Sequence, residues 1–154
     1  MIVTTAIFEG EITIGQLEYP DRQAQVQWFI NQYEPKYLAK LLGLELATEL
    51  LTEYAKEVHA EKWNILANKV KMAAACYIYF YFQKDSATAS VGAGVIEMET
   101  ENGTHVNNEY KMLNAWNRMV GFSIDFPFWI DRTEYPAYKC VISDINVFKN
   151  TFGL

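Results

Sequence analysis

At 154 residues and 17.8 kDa, with 51% hydrophobic and 21% charged residues, the chain suits one domain with a sizeable core and lacks the composition of a disordered one. A net charge of −6, with no stretch that concentrates Lys and Arg, excludes a surface that grips nucleic acid from outside. It leaves open an acidic wall that surrounds DNA without holding it. Aromatic residues make up 15% of the chain, a high share that core burial or subunit contact can use, core burial being the commoner.

In chain order, residues 1–20 read as an extended arm. Ile12 and Ile14 alternate with Glu11 and Thr13 as a short strand would, between Gly10 and Gly15. Residues 21–85 read as a helical core. Asp21 stands where a carboxylate caps the first turn of a helix whose face is Val26, Phe29, Ile30 and Tyr33. Pro35 restricts Glu34 to extended backbone and predicts a fresh helix start, with Leu38, Leu41 and Leu42 on one side and Gly43 at the place of a left-handed cap. A further helix from Leu44 puts Ala47, Leu50, Leu51 and Tyr54 on one face, so the two read as an αα-hairpin or a kinked pair.

Trp63, Leu66, Val70, Ala73, Ala74, Tyr77 and Tyr81 then keep a helical period, with Ile78, Tyr79, Phe80 and Phe82 filling the other sides. A helix apolar nearly all round is central in its domain or is covered by a second subunit. Lys84 and Asp85 are predicted to end it. Residues 86–108 carry no helical period, hold Gly92, Gly94 and the turn pair Asn102-Gly103, and exceed ordinary bundle loops in length. Their small and apolar residues favour order on contact with a partner. Residues 109–126 resume a helix through Met112, Leu113, Trp116, Met119 and Val120, stopped by Pro127. Residues 127–154 read as a non-helical C-terminal arm in which Val141, Ile142, Ile145, Val147 and Phe148 suit a strand. The fold class is mainly α: a small bundle around a central aromatic helix, with a long loop or ribbon and extended ends.

Residue types that carry chemistry are sparse. Cys76 reads as a small core residue, and neither it nor Cys140 belongs to a Cys-x-x-Cys site, although a disulfide between them stays open. His59 and His105 lack the convergent ligands of a metal site, and a solvated surface histidine is the stronger reading. Glu97, Glu99 and Glu101 alternate as a strand face would, yet no calcium-loop spacing accompanies them, so a solvated loop face is preferred. No phosphate-cradling glycine pattern or nucleophile motif is present. The expectation is a protein that is not an enzyme, with no cofactor. MIVTTAIFEGEI does not have the form of a signal peptide, and Met72 to Phe82 is too short to span a bilayer, so an intracellular origin without a membrane partner is expected.

FEGEITI (8–14), YLAKLLGLEL (37–46), YIYFYFQKDSATASVGAG (77–94), the EN pair at 101–102 and the terminal NTFGL (150–154) occur in an order that resembles small neck proteins of tailed bacteriophages. The resemblance is to those of Bacteroidetes phages and prophages, including the crAss-like group, and it covers nearly the whole chain. It implies a head–tail connector, a virion subunit that forms a ring, commonly of twelve copies, beneath the portal protein. Its partners would be copies of itself, the portal, a further neck or tail protein, and genomic DNA passing through without specific binding. Such proteins have no catalytic residues. Their contacts lie in loops and termini, which implies a subunit-interface loop at Asp85, Ala87, Ala89, Val91, Gly92, Gly94, Val95 and Ile96. It also implies a docking arm at Val147, Phe148, Asn150, Phe152, Gly153 and Leu154. Tyr135 to Val147 is richer in β-branched and aromatic residues than a docking tail requires, so pairing of this arm within its own domain stays open. Two rival readings differ in structure: a tail-terminator or tail-completion ring protein, built on a larger β-sheet, and an intracellular regulator with a pocket lined by Trp63, Tyr77, Tyr81 and Trp116.

Overall fold

Four helices account for most of the chain in a computed structural model, which describes residues 1–89, 108–140 and 143–150. They are α1 (Pro20–Leu42), α2 (Leu44–Tyr54), α3 (Glu61–Ala89) and α4 (Asn108–Trp129). Short 3₁₀ turns at Thr5–Ile7, Gly10–Ile12 and Asp144–Asn146 complete the regular structure, and the described residues include no strand. This is the mainly α bundle that the periodicity predicts. α3 is its centre and packs against α1, α2 and α4.

The all-round apolar character of α3 is used within the monomer. Every residue from Ala73 to Phe80 is buried. Alanines and Cys76 bring neighbouring helices close, and the aromatic side chains fill a continuous column between α1, α3 and α4. Tyr33 stacks on Tyr81 at 4.5 Å, Phe29 meets Phe82 edge-on at 5.3 Å, and Trp116 packs against Phe80 at 4.6 Å and Tyr77 at 6.0 Å. Such tilted and offset ring pairs add to the area that they bury. One polar chain crosses the core. The Tyr37 hydroxyl, 3.2 Å from Ser123 Oγ, has Ser123 as its acceptor, because the Ser123 hydroxyl itself donates to the Met119 carbonyl at 2.8 Å.

Several local expectations are corrected. Residues 1–20 are not an extended arm: Ile2, Val3, Phe8, Ile12 and Ile14 are buried in the core, and 3₁₀ turns replace the short strand. The alternation of Ile12 and Ile14 correctly marks inward-facing side chains, but the described residues include no neighbouring strand to pair with. The first helix begins at Pro20, with Tyr19 at its N-cap, so Asp21 lies inside the first turn and complements the helix dipole instead of capping. Pro35 does not divide α1. Its ring lies on the exposed side, while Phe29, Ile30, Tyr37, Leu38 and Leu41 on both sides of it are buried, so packing outweighs a penalty of about 3 kcal/mol. Pro127 is likewise inside α4, where the Ile130 N–H resumes the helical pattern on the Phe126 carbonyl.

α3 does not stop at Lys84 and Asp85 but continues through Ala89, which shortens the connection expected at 86–108. Gly43 does have positive φ, at 83°, although its ψ of 154° is not that of a left-handed cap. The reason for glycine is tertiary: a Cβ here would lie 3.1 Å from the Lys139 Cβ, where the C-terminal segment crosses and the Lys139 N–H bonds to the Leu42 carbonyl.

Candidate assembly interface

The C-terminal segment is held in cis through Lys149. Tyr135 donates its hydroxyl to the Lys62 carbonyl at 2.7 Å, and Tyr138 and Ile145 are buried. Lys40 grips both carboxylate oxygens of Asp144, at 2.6 and 2.8 Å, from a half-exposed position. Trp116 then donates from Nε1 to the Val147 carbonyl at 2.8 Å. Asn117 acts as a two-sided clamp: its Nδ2 donates to the Lys149 carbonyl and its Oδ1 accepts the Lys149 N–H, each at 2.8 Å. The Lys149 ammonium caps the Trp116 ring at 4.8 Å. The side-chain amide thus gives the arm the donor and acceptor that a neighbouring strand would supply. No strand forms at 143–148, and Val141 and Ile142 lie outside the described residues.

The arm has a direction. It passes the level of Ser123 and Pro127 near Ile145 and reaches Trp116 and Asn117 by Lys149, running antiparallel to α4. It therefore heads for the end of the bundle at which the chain leaves α3 at Ala89 and re-enters at Asn108. Val147 and Phe148 keep their side chains exposed, at 58% and 54%, and Tyr110 on the first turn of α4 is also exposed. Of the residues implied as a subunit-interface loop, Asp85, Ala87 and Ala89 lie on α3, which corrects their placement in a loop. Val91, Gly92, Gly94, Val95 and Ile96, with Phe152, Gly153 and Leu154 of the arm, lie outside the described residues, and Asn150 ends the described arm.

Two features escaped the sequence reading. Glu34 is fully buried on α1, and its Oε1 accepts the N–H groups of Ile2 at 2.8 Å and Val3 at 2.6 Å. Its Oε2 has no hydrogen-bond partner among the described residues. Burial pushes its carboxyl above the ordinary range, against the opposing effect of the two N–H groups and the amino terminus. A glutamate before a proline looks like a helix boundary, so nothing in the pattern marks it as a latch. The second feature is an exposed apolar area at the far end of α4. Phe128 is 89% exposed and follows Ile124 at helical spacing, a signal hidden by ending the helix at Phe126.

The described residues hold no group of three or more His, Cys, Asp or Glu placed to bind a metal ion. His59 lies between the Lys56 carbonyl and Asn64, and the Asn64 hydrogen bond chiefly raises its pKa. Cys76 is buried and pushed up to about 11 by that burial, while Cys140 is exposed; both are free thiols, so no disulfide joins them. Trp63, Tyr77, Tyr81 and Trp116 pack against other rings of the core. No described helix is long and apolar enough to cross a membrane. Comparison with family models, curated proteins and solved structures finds no match for the chain.

Proposed function

We propose that this chain is a structural virion protein, the head–tail connector subunit of a tailed bacteriophage, which forms a ring below the portal and extends the DNA channel. The observation that carries the reading is that the C-terminal arm runs along α4 toward the end where the chain leaves and re-enters the bundle between Ala89 and Asn108. The described points from which the two segments that the phage resemblance assigns to assembly continue thus lie toward one end of the helical bundle. The acidic net charge suits a channel wall along which DNA slides, since basic side chains would retain phosphates. Helices of 23, 11, 29 and 22 residues favour a connector over a tail terminator built on a β-sheet.

The test is the native mass of the chain alone and after mixing with the portal protein encoded in the same genome. Entry into the portal ring in a fixed ratio is the expected result. Indifference to the portal, with a small closed oligomer that binds a tail tube instead, would overturn the connector reading in favour of a terminator.

A further inference from the structure

At the end of the bundle remote from Ala89 and Asn108, Ile65 and Met72 on α3 stand on one helical face with Lys69 between them. The Lys69 ammonium lies 5.0 Å from the centre of the Trp129 ring and 6.0 Å from that of Phe122, which places α4 beside this face. Ile65, Met72, Phe128 and Trp129 are 49, 42, 89 and 38% exposed. With side-chain areas near 200 Å², they present an apolar surface on the order of 400 Å², the size at which a patch on a monomer marks an interaction site. Lys62 continues the stripe one turn before Ile65, and neither it nor Lys69 forms an ion pair among the described residues, while Asp125 is the acidic group nearest in sequence on α4.

We infer that this surface receives residues 90–107 of a neighbouring copy of the chain. The inference deepens the ring reading and rests on it for the assumption that copies meet through unlike faces. Composition is the first argument. Residues 90–107 contain Val91, Val95, Ile96 and Met98 with Glu97, Glu99 and Glu101, and neither Lys nor Arg, which complements an apolar stripe edged by Lys62 and Lys69. Reach is the second. At about 1.5 Å per helical residue, Ile65 lies about 36 Å from Ala89 and Phe128 about 30 Å from Asn108. A segment of eighteen residues tied at both ends extends about 31 Å at its midpoint when fully stretched, and Ile96, seven residues from Ala89, reaches about 25 Å. Within its own subunit the segment therefore comes up to Met72, about 26 Å from Ala89, but falls short of Ile65, whereas a neighbour is free to set Ile96 against Ile65. The exit end of one copy and the patch end of the next are different faces, as ring closure requires.

The test uses full-length chains in a Cys140→Ser background, so that buried Cys76 is the only native thiol. One tagged copy carries Ile65→Cys and a second, differently tagged, carries Ile96→Cys; they are mixed at about 100 µM and oxidised with copper–phenanthroline. The expected result is a disulfide joining the two tags, at least tenfold more abundant than with Thr52→Cys in place of Ile65→Cys. Phe128→Asp in the first copy should cut that yield at least tenfold while leaving the helical circular dichroism unchanged. The inference is overturned if no link joins the tags, if Phe128→Asp has no effect, or if a chain carrying both cysteines links only within itself. Portal binding is scored separately: loss of the link with portal binding intact strikes this inference alone, and the converse strikes the connector reading alone.

Discussion

The two terminal segments are fixed to the same helical bundle by opposite means. Residues 1–14 are sealed into it: five apolar side chains are buried, and a carboxylate inside the core takes two backbone N–H groups. Residues 143–150 are laid on its surface, where polar side chains grip the backbone while Val147 and Phe148 face outward. The first arrangement spends its apolar residues on stability. The second leaves them exposed, which is what the proposed docking arm would need.

Substitutions should separate the two. The largest effect is expected in the strap, where Phe8→Ala removes a buried ring and should cost about 3–5 kcal/mol, read as a lower urea midpoint. Glu34→Ala should follow at about 2–4 kcal/mol, because it strands two buried N–H groups. Glu34→Gln preserves an acceptor and isolates the charge. Since the folded state raises the Glu34 pKa, its stabilisation is complete below the ordinary value of 4.5 and is lost as pH rises through the raised value. Thermal midpoints measured against pH should show that decline in the wild type and a flatter profile in Glu34→Gln; identical profiles would remove the titration of Glu34 from the account.

On the arm, Asn117→Ala should cost only about 1–2 kcal/mol, because water can reach its partners at a part-buried site. Proteolysis should nonetheless cut the released arm faster. Phe148→Ser is the smallest, within about 0.5 kcal/mol of wild type by thermal melting, as expected of an exposed side chain. It should weaken binding to the portal at the same time. A Phe148→Ser chain that binds the portal undiminished, or that melts as early as Phe8→Ala, would erase the contrast between strap and arm.

Helix content, the faces of α1, α2 and α3, and the central position of α3 were legible in the sequence, because apolar residues at a 3.6-residue period report burial directly. Prolines misled the reading twice. Pro35 and Pro127 are valid local stop signals, and each is overridden by buried residues on both sides of it. The Phe128 surface was missed for that reason, being placed in an arm instead of on the last turn of α4.

What the sequence determined by itself is a mainly α chain with a saturated aromatic helix and an acidic net charge. These follow from composition and local period. Only tertiary structure decided that Glu34 latches the first residues, that Asn117 clamps the arm, that glycine is needed at 43, and that apolar side chains remain exposed at both ends of α4. Each depends on contacts between residues far apart in the chain. Local spacing has no means of encoding which distant backbone will arrive beside a given side chain.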